Sequence, residues 1–141
     1  MIIPNLMVSE IARSIAFYRD RLGMDVKMTV NADKSFDMTG AGDVTKAVFA
    51  ILTWNDQELM LQTNANLAAE LPDVFQPDQK PVPAGTVYIR GLDPRTIQDR
   101  VEDGDIIKGP DLAWYGMLEL YLRDPDGHII CCAAPDGTPP A

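Results

Sequence analysis

The chain has 141 residues, 46% hydrophobic and 23% charged, which suits one globular domain rather than a fibre or a disordered tail. Twelve Lys and Arg against twenty-one Asp and Glu leave a net charge of −9. That field repels phosphate backbones, so nucleic acid is not an expected partner. It attracts small cations, although solvated surface charge is the plainer reading.

No apolar run reaches the roughly 18 residues a membrane span needs, so no membrane partner is expected. Residues 1–8 are interrupted by Pro4 and lack the basic start and cleavage site of a signal peptide. Cys131 and Cys132 are adjacent, and neighbouring strand residues face opposite sides, which disfavours bridging them. Two free thiols in an unstapled chain suit a reducing cytoplasm.

Residues 2–8 read as a short apolar strand. Ser9 is a good N-cap, and Ile11, Ile15, Tyr18 and Leu22 recur at helical spacing over residues 10–22, with Gly23 as the stop. Asp25–Asn31 reads as a strand, and 32–45 as a loop. Ala47–Trp54 and 58–63 form a hairpin around Asn55 and Asp56. The proline-rich connector 65–83 holds a short helix or turn near 67–71. Thr86–Arg90 is the next strand, and a helix over 94–102 starts on Pro94 and ends at Gly104. A brief strand at 105–108 leads into a loop over 109–116 bearing Trp114 and Tyr115. Met117–Arg123 and 129–133 form the last hairpin around the turn 124–127, and the tail 136–141 is expected to fray.

Both halves thus read strand–helix–strand–strand–strand. Their helix stops, Gly23 and Gly104, stand 81 residues apart, and the same shift lays Leu6 and Val8 on Val87 and Ile89. Period-two alternation sorts the strands into faces. Leu6, Val8, Leu59, Leu61, Val87, Ile89, Leu118, Leu120 and Leu122 form one aliphatic face that should pack under the helices. The other face carries Asn5, Met7, Glu58, Met60 and Gln62 in the first half. In the second half it carries Thr86, Tyr88, Arg90, Glu119, Tyr121 and Arg123. A half-solvated sheet face is ordinary in antiparallel sheets. Met, Tyr, Gln and Thr in place of Lys and Glu favour a small-molecule cavity.

The segments Ser14-Ile15-Ala16-Phe17-Tyr18-Arg19-Asp20-Arg21-Leu22-Gly23 and Leu122-Arg123-Asp124-Pro125-Asp126-Gly127-His128 resemble those of the vicinal oxygen chelate superfamily. This is the glyoxalase/bleomycin resistance protein/dioxygenase group. Tyr88-Ile89-Arg90-Gly91-Leu92-Asp93 resembles the start of a second module in its antibiotic-binding members. The resemblance implies an α+β fold of two βαβββ modules whose curved mixed sheets form a cup. A single domain would span 1–135, with module one at 1–64, the connector at 65–83 and module two at 84–135.

Metal-using members of that group hold a divalent ion with His, Gln and Glu on the first and fourth strands of each module. The matching positions here are Ile3, Ala84, Cys131 and Met60, or Glu58 if the register slips by two. One carboxylate does not make an octahedral site, so no metal and no cofactor is expected. His128, just past the turn, is expected at the surface.

The chain is closer in pattern to the bleomycin-resistance proteins, acidic dimers that sequester a planar cationic drug without chemistry. Pro4 matches their bent first strand, and Tyr115-Gly116 stands where they carry a Trp-Gly that stacks on the drug. The resemblance therefore implies a cytoplasmic homodimer that binds a small planar, cationic molecule, an antibiotic-sequestering role. Candidate ligand-binding residues are Phe36, Met60, Gln62, Thr86, Tyr88, Arg90, Trp114, Tyr115, Glu119, Tyr121 and Cys131. Arg90 is also an alternative ion-pair partner for Glu119. The competing reading is a lyase or isomerase of the same superfamily, with Glu58 or Glu119 as general base and Tyr88 or Tyr121 as proton donor. No phosphate loop, zinc cluster or nucleophile elbow is present, and residues 124–127 make a turn rather than a calcium loop.

Overall fold

A computed structural model describes residues 1–136. The chain divides into two compact units, Met1–Pro81 and Val82 onward. The fold is mixed α+β, with one mixed sheet in each unit.

The first unit contains β1 (Asn5–Val8), β2 (Asp25–Asn31), β3 (Phe36–Asp37), β4 (Ala47–Trp54) and β5 (Gln57–Thr63) in the order β1-β5-β4-β2-β3. β1 runs parallel to β5, and the other neighbours are antiparallel. The second unit repeats the plan with β6 (Thr86–Arg90), β7 (Ile106–Leu112), β8 (Met117–Arg123) and β9 (Ile129–Pro135) in the order β6-β9-β8-β7. Here too the first strand is parallel to the last. The repeat read from the sequence is thus a repeat of topology. β3 is an additional short strand within the expected loop 32–45.

Helix α1 (Ile11–Ile15) widens into a π turn over Ala16–Arg21. Leu22 N–H donates to the carbonyl of Phe17 at 3.2 Å, and Gly23, at φ +83°, ends the helix as expected. At the other end Glu10, not Ser9, is the N-cap residue, and it makes no side-chain cap bond. Ile11, Ile15, Tyr18 and Leu22 are all buried, as are Val8, Leu52, Leu59 and Leu61 of the sheet they cover. Burying each such side chain contributes about 1.5–3 kcal/mol, which is why the aliphatic alternation decides the face. Asn55 and Asp56, at φ +46° and +61°, make the turn that matches the twist of a two-residue hairpin.

Helix α2 (Asn64–Glu70) follows β5, and in the second unit α3 (Pro94–Ile97) is far shorter than the expected 94–102. Pro94 and Ile97 are buried, but the polar run Gln98-Asp99-Arg100 offers no apolar stripe to extend the contact. A separate 3₁₀ turn, Asp103–Asp105, follows, closed by reciprocal Glu102 and Asp105 capping bonds. Gly104 therefore lies inside a turn without a left-handed φ and does not play the part of Gly23. β7 also reaches Leu112, well into the expected loop 109–116. Between Lys108↔Tyr121 and Asp111↔Glu119 this strand carries one extra residue, a bulge at Gly109-Pro110.

His128 is buried rather than exposed. The cause is Asp124, whose carboxylate accepts from the backbone N–H groups of Asp126 at 2.9 Å and His128 at 2.8 Å and draws the turn inward. Asp136 N–H donates to the Gly116 carbonyl at 3.0 Å, and the rest of the expected tail lies outside the described residues.

Candidate functional site

Leu120, Leu122, Ile130 and Cys132 of the second sheet are buried on the side that meets α3. Alternation then sends Glu119, Tyr121 and Cys131 to the opposite face. Strand register sets Lys108, Tyr121, Cys131 and Tyr88 in one row across β7, β8, β9 and β6. The next row holds Asp111, Glu119, Ala133 and Arg90.

Glu119 is the centre of the cluster, only 7% exposed. The Tyr88 hydroxyl donates to its Oε2 at 2.6 Å, reaching across β9. Ala133, on that strand between Glu119 and Arg90, has only a methyl group and leaves the path open. The Tyr115 hydroxyl donates to the same oxygen from the β7–β8 turn. Among the described residues no Lys or Arg lies within ion-pair distance of this carboxylate. Arg90 is exposed and forms no ion pair with Glu119, whose Oε2 takes both phenols.

The electrostatics follow from this arrangement. Burial, then the hydrogen bond to Glu119, raises the Tyr88 phenol above its ordinary value. The bond to Glu119 is the main cause of the same shift in Tyr115. Tyr121 is raised first by Cys131 beside it and then by burial. Burial, assisted by Glu119, pushes the Cys131 thiol up to about 11. At neutral pH the cluster thus offers neutral phenols and an inert thiol around an acceptor. This chemistry suits holding a positively charged donor and not nucleophilic attack.

Aromatic surface flanks the acceptor. Trp114 is 85% exposed and meets Tyr115 edge-on, with ring centres 5.3 Å apart. The Lys108 ammonium lies 5.8 Å from the Tyr121 ring centre. Thr86 is exposed at the start of β6.

Phe36, Met60, Gln62 and Glu58 belong to the first unit. Phe36 is exposed on β3, and Met60 is half-buried on β5. Glu58 forms an ion pair with Lys27 at 3.5 Å, which compensates its charge and weakens its candidacy as a free base. Gln62 is buried at the hub of a polar network. Its Oε1 accepts from Asn5 Nδ2 at 2.9 Å, and its Nε2 donates to Asn66 Oδ1 at 2.7 Å and Glu70 Oε2 at 2.8 Å. Sequence reasoning missed Asn66 and Glu70, which stand on α2 (Asn64–Glu70). The signal was present: Gln62, Asn66 and Glu70 recur every four residues around Thr63, whose Oγ1 caps the helix.

The donor set does not fit the divalent ion of the metal-using members. Ile3, Ala84, Met60 and Cys131 offer no oxygen or nitrogen side-chain ligand, and Glu58, the alternative to Met60, is a single carboxylate already paired with Lys27. Among the described residues no three His, Cys, Asp or Glu side chains converge.

Several solved structures share the fold. Virulence protein STM3117 from Salmonella typhimurium is 20% identical, with a TM-score of 0.61 over 95% of this chain and 94% of that one. A glyoxalase/bleomycin resistance protein/dioxygenase from Nocardioides is 18% identical, with a TM-score of 0.60 over 99% and 85%. TioX from Micromonospora sp. ML1 is 13% identical, with a TM-score of 0.63 over 94% and 96%. No curated protein matches the sequence significantly. The family model of the Glyoxalase/Bleomycin resistance protein/Dioxygenase superfamily matches residues 3–132, and the chain belongs to that superfamily.

Proposed function

We propose that this protein is a metal-independent binder of a small, planar, cationic molecule, with an antibiotic-sequestering role. The observation that carries this reading is the buried Glu119 carboxylate, hydrogen-bonded by Tyr88 and Tyr115 without a cationic side-chain partner among the described residues. A ligand cation supplies the missing charge, and the exposed Trp114–Tyr115 pair supplies flat surface for stacking. The chain's net charge of −9 favours the approach of such a ligand. Tyr121, Thr86 and Arg90 flank the acceptor on the strands of the same sheet. The protein works in this reading as a cytoplasmic homodimer, the commonest closed assembly, which sedimentation at twice the chain mass tests.

The binding test uses a Trp54→Phe variant, so that Trp114 is the remaining tryptophan. Bleomycin, as a planar cationic probe, should quench its fluorescence saturably, and a chelator should leave the titration unchanged. Glu119→Gln should weaken binding about 10–100-fold, the worth of one charge-assisted hydrogen bond. Quenching that is absent, or equal in Glu119→Gln, overturns the reading.

The second reading is base catalysis by Glu119. The carboxylate in direct hydrogen bond with two phenols favours it, since a phenol can return a proton that the carboxylate removes. Turnover of methylglyoxal–thiol adducts, lost in Glu119→Gln, would select this reading over sequestration.

A further inference from the structure

Glu119 presents its two carboxylate oxygens unequally. Tyr88 and Tyr115 both donate to Oε2, Tyr88 at 2.6 Å over the methyl group of Ala133 and Tyr115 from the β7–β8 turn. A carboxylate oxygen has two lone pairs, so the two phenols fill Oε2. Among the described residues no donor reaches Oε1. Ser14 Oγ is the only wholly buried, unpartnered side-chain oxygen or nitrogen among them, so Oε1 meets solvent. Glu119 as a whole is only 7% exposed, which makes Oε1 a narrow opening onto the carboxylate.

The phenols hold their places as donors. Burial raises Tyr88 above its ordinary value, and the bond to Glu119 raises Tyr115, so each keeps its proton at neutral pH. A guanidinium or amidinium meets a carboxylate as a fork, with one N–H to each oxygen. Here that fork would have to displace a phenol. An ammonium with one N–H needs Oε1 alone. Arg90, the guanidinium of the same row, is exposed and forms no ion pair with either oxygen.

Resting on the sequestration reading, we propose that the Glu119 site selects cations by donor count. It takes a tertiary ammonium on a flat ring system and discriminates against forked, two-donor cations. Tyr88 and Tyr115 set this specificity by occupying Oε2.

The test is calorimetric titration of the full chain with one ring body carrying three different cations. These are N,N-dimethyl-2-naphthylmethylamine with one N–H, 2-naphthamidine with a fork, and trimethyl(2-naphthylmethyl)ammonium with none. The dimethylamine should bind about tenfold or more tightly than either of the others, the worth of one hydrogen bond to a charged group. Tyr88→Phe and Tyr115→Phe each keep the ring and free a lone pair of Oε2, and each should shift the preference about fivefold or more toward the amidine. Glu119→Gln should abolish the preference. Tyr115 is exposed, so Tyr115→Phe should melt like the parent and keep the test valid even if Tyr88→Phe fails to fold. Equal or tighter binding of the amidine, or a preference unmoved in Tyr115→Phe, overturns the proposal; if Glu119→Gln still weakens all three cations, the sequestration reading survives it. Absence of binding by every probe, or binding indifferent to Glu119→Gln, overturns both.

Discussion

Gly109 holds the bulge beside Glu119, and its replacement by alanine separates two costs that usually come together. The residue sits at φ +95°, where an L side chain is strained by about 1–2 kcal/mol. A Cβ placed there would also press on the Glu119 carbonyl oxygen, well inside the 3.0 Å that real Cβ atoms essentially never breach. The backbone of β8 would have to retreat by about half an ångström, and overpacking of this kind costs about 1–3 kcal/mol. The total for Gly109→Ala is therefore about 2–5 kcal/mol, a fall in Tm of about 6–15 °C for a chain of this size.

Two controls divide that sum. Gly127 has φ +89°, but nothing lies within 4 Å of the position its methyl group would take, so Gly127→Ala should cost only the conformational part, about 1–2 kcal/mol. Gly104 has neither problem, and Gly104→Ala should change stability by less than about 1 kcal/mol. Thermal unfolding followed by circular dichroism gives the three values under one set of conditions. If Gly109→Ala is no less stable than Gly127→Ala, the close approach of β7 to the Glu119 peptide is not a constraint, and the account of the bulge fails. Because that peptide belongs to the residue at the centre of the cluster, ligand affinity at Glu119 should fall along with stability.

Two further expectations concern the second unit. Asp124→Ala should destabilise by about 2–3 kcal/mol, since it leaves the N–H groups of Asp126 and His128 without their carboxylate partner; chemical denaturation measures it, and a value below about 0.5 kcal/mol would contradict the turn's role. Burial pushes the thiols of Cys131 and Cys132 up to about 11 and about 12 from an ordinary value near 9. A raised thiol keeps its proton in the folded state, so its contribution is complete below pH 9 and is lost as pH climbs through those higher values. Stability should accordingly decline above pH 9, and Cys132→Val should flatten the decline; an unchanged slope in that variant would show that Cys132 is not its source.

Much of the architecture was legible in the chain alone. Alternating leucines in β5 and β8 choose a buried face because a one-residue slip would expose the whole set. Asn55-Asp56 and Gly23 accept backbone conformations that other residues resist, so their turns could be placed to the residue. The boundaries of β2, β4, β6 and β8 followed from these local signals. Where a local pattern was weak the reading failed: the apolar spacing after Ile97 was too sparse to hold a helix, and the capping pair Glu102 and Asp105 formed a separate turn instead.

The candidate residues were legible as types on a face but not as partners. Tyr88 and Glu119 are 31 residues apart, and Asn5 and Gln62 are 57 apart. Whether they touch depends on strand register, on the methyl-sized gap at Ala133 and on the bulge at Gly109. The same long-range geometry left Arg90 exposed beside the cluster instead of paired with Glu119. The sequence by itself determined the two-unit topology and the faces of its sheets, because periodicity and turn preference act between near neighbours. Only the tertiary structure decided which polar groups meet, because packing selects those contacts from many that local preference leaves equal.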